Sequence, residues 1–422
     1  MIKRRKSITN IIYLFVAVNL IAMLFVGIVP ASATVPNLDF LFILNLVFIL
    51  VVILFSLLIF SMNKKKHIER KKMSSQLLIK NIKFLSYAPV AGIALLIYDR
   101  VILRGIDYTQ GLRQARYAWL DTLGGSPIGI LGNLLVPFSY VGIFFLVMHY
   151  ERISKKQQRY LIAGIILGVI GHAALNGGRS NLLLAIAMIL IAFTLKRKNI
   201  KRVKTKTRGK IKYIIIFIFS AYYITYITLS SATMAQIDID TLVQLGIKGL
   251  YGEMDPEFFS TEHSNGMYLL IYISSYLYHG QWTSQVAYSL LEREGTYSTP
   301  PLINMFLNNF GAGSNPEAKF FSDTGAFISL PGAFYYDYGF LGVLGLSSLF
   351  GIILGFVFII INNSRSVGGI KTAFIVGILL IVILSPMVPA YGLSYFNFIV
   401  YSFIMTGIIN MAFFKRKVSF LN

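Results

Sequence analysis

Long apolar runs, separated by short basic or glycine-rich stretches, dominate the chain. Runs near the length of a membrane span fall at about 8–29, 40–62, 80–98, 127–149, 160–176, 180–195, 212–230, 339–361, 370–388 and 393–413. A helix needs about 20 mostly apolar residues to cross the hydrocarbon core, and lipid cannot satisfy a bare backbone in any other open form. The pattern predicts an all-α polytopic integral membrane protein: one transmembrane domain over 1–422 with about ten transmembrane helices. Two polar intervals stand out. Residues 99–126 carry four arginines, and residues 231–338 form a long stretch rich in Gly, Tyr, Asn, Ser and acids. Loops beyond about 15 residues are usually functional or disordered; the aromatic and apolar stretches within 231–338 argue for order. One of them, Met267–Tyr278, is too short to span and is closed by His279-Gly280-Gln281-Trp282, which predicts an interfacial or re-entrant helix.

Composition agrees with the pattern. The chain is 56% hydrophobic and 13% charged, against roughly 45–50% apolar and about 25% charged in soluble domains. Its net charge of +22 is unevenly placed. With a cytoplasmic N-terminus and ten alternating spans, the cytoplasmic segments hold 31 of the 39 Lys and Arg. Arg100, Arg104, Arg113, Arg116, Arg179, Lys248, Arg293 and Lys319 remain outside, with all the acids except Glu69 and Glu151. That asymmetry predicts both termini in the cytoplasm and external loops at 99–126 and 231–338. The charge is then an orientation signal and an attraction for anionic lipid, with no nucleic-acid partner. Lys3-Arg4-Arg5-Lys6 before an apolar stretch and Ala31-Ser32-Ala33 also looks like a signal peptide. A signal's apolar region is about 7–15 residues, and this one is nearer twenty, which predicts a retained first span. Cysteine is absent, so disulfides, thiolate ligands and thiol nucleophiles are excluded. Five scattered histidines speak against a histidine-built metal centre, and neither metal nor cofactor is expected.

The hairpin 161–195 is the most informative local feature. Each arm is ~24 Å long at 1.5 Å per residue, against a hydrocarbon core of about 30 Å. Its turn, Asn176-Gly177-Gly178-Arg179-Ser180-Asn181, should therefore be sunk below the outer surface, where an arginine needs a polar cavity and a partner. Glycines allow a tight turn, and Ser180 or Asn181 can cap the following helix. A helix N-terminus beside a guanidinium suits phosphate. The plain alternative is a tight turn with Arg179 reaching outward. Arg100, Arg104, Arg113 and Arg116 can join Arg179 around a pyrophosphate or simply pair with Asp99, Asp107 and Asp121. Candidates for a general base are His263, His279, Glu253, Asp255, Asp323 and Asp337; His279 is preferred, and a helix-capping role is its alternative. His172 reads as a satisfied core histidine, and His149 as a boundary residue. Asp238-Ile239-Asp240 has a spacing found in metal-binding glycosyltransferases but is a weak signal. Trp119, Trp282 and the many tyrosines outside suit sugar faces, and equally an interfacial aromatic belt.

Asn176–Asn181 resembles the Gly-x-Arg/Ser turn of bacterial polysaccharide polymerases and ligases. Ser322-Asp323-Thr324-Gly325-Ala326-Phe327, followed by Pro331-Gly332-Ala333-Phe334-Tyr335-Tyr336-Asp337-Tyr338-Gly339-Phe340-Leu341-Gly342, resembles the segment entering a late span of Wzy-type oligosaccharide repeat-unit polymerases. These motifs cover about fifty residues; the layout of spans and loops extends the likeness along the chain. The arginine–glycine spacing of eleven described for some O-antigen polymerases occurs at Arg100/Gly111 and Arg113/Gly124. Both pairs lie in one loop, and Arg293 meets Asn304, so that motif is not carried over. The resemblance implies a GT-C-like enzyme of the bacterial cytoplasmic (inner) membrane, acting in O-antigen, capsule or exopolysaccharide synthesis. Its substrate would be an undecaprenyl-pyrophosphate-linked oligosaccharide on the outer face, and its partners a flippase and a chain-length regulator. Pyrophosphate would be held by Arg179, Ser180, Arg113 and Arg116, with His279 as base and Asp337 as second choice. A polysaccharide ligase using the same lipid donor, a lipid-linked oligosaccharide flippase and a membrane acyltransferase are the rival readings.

Overall fold

The computed structural model describes residues 2–63, 75–109, 111–121, 126–176, 180–196, 238–261, 263–290, 327–363 and 369–418. The expected span at 212–230, together with Arg179, Arg293, Lys319 and Asp323, lies outside them, as does the side chain of Arg113. In chain order the elements are α1 (Ile2–Ile28), β1 (Ala31–Ala33), α2 (Leu38–Ser61), α3 (Ser75–Ile97), α4 (Leu112–Asp121), α5 (Pro127–Leu135), α6 (Phe138–His149), α7 (Lys155–Asn176), α8 (Ser180–Leu195) and α9 (Ile239–Lys248). They continue with β2 (Gly252–Met254), α10 (Pro256–Ser260), α11 (Asn265–Ser289), α12 (Leu330–Asn363), α13 (Ile370–Leu384) and α14 (Ser394–Val418).

The chain is an all-α polytopic membrane protein. Among the described residues, seven helices are long and apolar enough to cross a bilayer: Ser7–Ile28, Leu38–Ser61, Ser75–Leu103, Pro127–Arg152, Lys155–Asn176, Leu330–Asn363 and Tyr395–Ala412. Ser180–Leu195 and Ile370–Leu384 are shorter apolar helices. Together these occupy nine of the ten runs read from the sequence. Phe15, Phe48, Tyr140, Phe144 and Phe358 fill the interior, while Leu24, Leu54, Leu341 and Phe356 are exposed on the outside, as a lipid solvent permits.

Helices in lipid associate by close packing, which favours small residues at their crossings. The most extensive helix pair among the described residues is α2 with α12. Gly351 and Gly355 of α12 make that approach possible: a Cβ on them would stand 2.8 Å from the Val52 carbonyl oxygen and 2.7 Å from the Ile59 Cβ, respectively. α12 is broken near its start at Gly339, whose φ of 65° and ψ of −159° suit glycine alone. The predicted start of this span falls on that break.

Contacts gather the connections into two groups, one at each end of the bundle. Asn63 meets Asn363 at 3.5 Å, and Gly369 packs on Gly407. At the other end β1 pairs antiparallel with β2, Ser32 opposite Glu253, and the Leu330 N–H donates to the Ser385 carbonyl at 2.7 Å. The stretch that resembles a signal cleavage site is thus paired with the long 231–338 interval.

α11 differs from its sequence reading. The apolar run does not close at His279; one helix continues to Ser289, and its second half is buried against α2 and α12. The side chains of Gln281, Thr283 and Gln285 are hydrogen-bonded inside the bundle, which hydropathy alone cannot register. Gln281 accepts from Asn45 Nδ2 at 2.8 Å and donates to the Pro386 carbonyl at 2.6 Å. Gln285 accepts from the Asn37 N–H at 2.7 Å, and Thr283 donates to the Phe327 carbonyl at 2.7 Å. Trp282, read as a belt residue, is fully buried beside Tyr278, with ring centroids 4.9 Å apart. Gly280 faces the Met387 carbonyl so closely that any Cβ would collide with backbone. Gly280→Ala should therefore destabilise the bundle by about 1–3 kcal/mol, the usual range for overpacking, read as a lowered thermal midpoint in detergent.

Candidate functional site

The buried stripe of α3 runs through Leu85, Ile93 and Leu96 and is continued by Asp99 and Arg100, which are 2% and 1% exposed. The last turn, Tyr98–Leu103, is a wide π turn, a feature frequent at functional sites. The Arg104 N–H reaches the Asp99 carbonyl at 3.1 Å, and the Ile106 N–H reaches the Arg100 carbonyl at 3.0 Å. Gly105, at φ 65°, supplies the left-handed residue that this helix end requires.

The two buried charges separate. Asp99 accepts from Ser126 and forms an ion pair with Arg104 at 3.3 Å. Gly129 leaves room for it, since a Cβ there would lie 2.7 Å from Asp99 Oδ2. Arg100 turns toward the end of α7, where its terminal nitrogens donate to the Leu175 carbonyl and to Asn176 Oδ1. Trp119 of α4 covers the guanidinium, with Cζ 4.4 Å from the ring centroid. A cation at a helix C-terminus is locally favourable. Yet the Arg100 partners are a carbonyl, an amide oxygen and an indole face, all neutral. Among the described residues no carboxylate stands within ion-pair distance of it, and its Nε has no hydrogen-bond partner.

His172, one turn before Asn176, holds the end of α7 to the start of α8. Asn176 Nδ2 lies 2.7 Å from its Nε2, and Asn181 Nδ2 lies 2.7 Å from its Nδ1. Asn133 Oδ1 of α5 stands 3.4 Å from Nε2. A neutral imidazole offers one donor and one acceptor, and each amide can present either of its ends. Tyr395 of α14 covers the ring, with centroids 4.2 Å apart, and its hydroxyl has no partner among the described residues. Tyr140 and Tyr108 donate to the Asn181 and Leu175 carbonyls at 3.2 and 3.1 Å. Arg100 Nε and the Tyr395 hydroxyl are therefore two buried donors left over in a cluster that surrounds both ends of the hairpin turn.

The sequence candidates are distributed as follows. Ser180 opens α8 beside this cluster, whereas Arg179 itself lies outside the described residues. Arg116 is exposed on α4, and Arg113 belongs to the same helix. Asn181 is engaged with His172. Asp337 lies in the first part of α12, before the Gly339 break. Burial pushes the phenol of Tyr391 up, and the Asp337 charge adds to the effect. Asp337 thus acts electrostatically on Tyr391, in the segment that leads into α14. His279 lies elsewhere: it is buried within α11, its Nδ1 3.2 Å from the Ser275 carbonyl and its ring 5.8 Å from Phe327. α11 packs on α1, α2, α9 and α12, whereas the arginine cluster is built from α3, α4, α5, α7 and α14. Asp238 and Asp240 open α9, a placement that the helix dipole favours.

Sequence reasoning treated Arg100 as one of four equivalent loop arginines and His172 as a core residue. The structure makes them the joint of the cluster. Compared with family models, with curated proteins and with solved structures, the chain has no match.

Proposed function

We propose that this chain joins undecaprenyl-pyrophosphate-linked oligosaccharide repeat units on the outer face of the bacterial cytoplasmic membrane. It crosses that membrane ten times with both termini in the cytoplasm, and the cluster around Arg100 lies at the outer end. The observation that carries the reading is the buried Arg100 guanidinium among neutral partners, next to the turn that bears Arg179. A buried cation without a counter-charge is costly, and a diphosphate provides one. Two arginines with the Tyr395 hydroxyl would hold the leaving group as negative charge develops on it.

In the reaction, a sugar hydroxyl of the acceptor unit attacks the anomeric carbon of the growing chain. The new C–O bond forms as the bond to phosphate breaks, and the pyrophosphate lipid departs with the electron pair. The hydroxyl proton passes to a carboxylate or imidazole. His279 and, as second choice, Asp337 are the candidates for that role. Arg113 and Arg116 of α4 would meet the headgroup as it enters.

Purified protein mixed with lipid-linked repeat units should give a ladder of products. Loss of the general base should slow the ladder by about 10²–10⁴, and His279→Ala measured beside Asp337→Asn tells which of the two residues it is. Transfer of whole chains to a second acceptor would instead identify a ligase. Movement of the units across the bilayer with no new bond would identify a flippase.

A further inference from the structure

We propose that the opposite end of the bundle holds a second ligand site, for the phosphodiester headgroup of an anionic phospholipid. A cavity of about 280 Å³ opens between α3 and α7, lined by Lys83, Tyr87, Ser154, Lys156, Gln157 and Tyr160 among others. Among the described residues no acid lines it and neither lysine makes an ion pair. Two ammonium groups bordering one small space repel each other, and an anion between them converts that repulsion into attraction. The Gln157 amide nitrogen adds a neutral donor, its oxygen being held by the Ser154 hydroxyl and N–H at 3.1 Å.

Size and setting favour a lipid headgroup. Drug-sized ligands need about 300–1,000 Å³; this cavity suits a single headgroup better than an oligosaccharide. Tyr87 and Tyr160 are 65% and 51% exposed, on helices that read as spans, and such tyrosines sit at the membrane interface. The surrounding surface carries Lys80, Arg152, Lys155 and Arg159 against Glu151. This is the end that the distribution of basic residues assigns to the cytoplasm, where anionic lipid adds attraction and basic pockets between helices bind lipid head groups. The site shares no residue with the arginine cluster and does not depend on the proposed transferase activity.

The test uses the full chain in neutral detergent, exposed to vesicles of phosphatidylglycerol or of phosphatidylcholine and repurified, with bound lipid counted by native mass spectrometry. Wild-type protein should retain phosphatidylglycerol selectively. Lys83→Gln with Lys156→Gln should weaken that retention roughly thirty-fold, at about 1 kcal/mol for each cation near its anion and 1.4 kcal/mol per tenfold. Lys155→Gln with Arg159→Gln removes the same charge from the same end outside the cavity, and should change retention by less than about threefold because exposed charges are screened. Lys83→Arg with Lys156→Arg should retain the lipid. Equal losses in the two glutamine pairs would overturn the site in favour of diffuse attraction. Displacement of the lipid by millimolar inorganic phosphate would overturn the lipid assignment.

Discussion

Arg100→Lys is expected to fold, insert and extend chains about 10²–10³-fold more slowly than the wild type, the loss usual for one preorganised donor to a developing anion. Lysine keeps the charge but not the fork. A single ammonium cannot donate to the Leu175 carbonyl and Asn176 Oδ1, lie flat under Trp119 and still offer another N–H. The loss should fall mainly on kcat, because the interaction strengthens as the leaving group takes up charge. Arg100→Ala should in addition lower stability by about 1–3 kcal/mol, since it takes charged donors from Asn176 Oδ1 and from the Leu175 carbonyl, which keeps only Tyr108. Initial rates of ladder growth, measured beside thermal midpoints, separate the two effects. A lysine variant with wild-type rates would remove Arg100 from the chemistry and leave it as a helix cap.

Arg179→Ala and Arg179→Lys are both expected to abolish polymer while single lipid-linked units persist. The expected short first arm is in fact a helix of 22 residues, long enough to cross a bilayer, so the case for Arg179 rests on its neighbours. Asn176 and Asn181, on either side of it in sequence, are fixed through His172, and Asn176 also accepts from Arg100. Gel separation of the lipid-linked products from cells carrying each variant gives the answer directly. Long chains of normal distribution from either variant would exclude Arg179 from the mechanism.

The apolar runs predicted the bundle well because membrane insertion selects for length and hydropathy in each helix separately. They failed at α11, where hydrogen bonding among Asn45, Gln281 and Pro386 allows polar side chains to be buried beside Tyr278, Trp282 and Val286. A scale that scores glutamine as polar cannot foresee a glutamine whose amide is satisfied by α2 and by the turn after α13. The site was legible in part. A hairpin read as short in both arms drew attention to Asn176–Asn181. Its first arm, Lys155–Asn176, is a full-length span because the helix begins among the basic residues that hydropathy excluded, yet Asn176 and Asn181 do stand among polar side chains. The role of Arg100 could have been found by following the period of α3: Leu85, Ser86, Pro89, Ile93 and Leu96 are buried, and Asp99 and Arg100 continue that face. Assigning residue 99 onward to a loop hid the continuation. The packing of His279 within α11 and the pairing of Ala31–Ala33 with Gly252–Met254 depend on long-range contacts, for which no local pattern exists.

Discrimination between a polyprenyl diphosphate and the matching monophosphate, measured by binding to purified protein in nanodiscs, tests the anion site without requiring turnover. Wild-type protein should prefer the diphosphate by about 10–100-fold, the equivalent of one charged hydrogen bond at roughly 1.5–3 kcal/mol, and Arg100→Gln should lose that preference while remaining folded. Equal affinity of the wild type for both lipids, or an unchanged preference in Arg100→Gln, would show that the buried guanidinium is not a receptor for pyrophosphate.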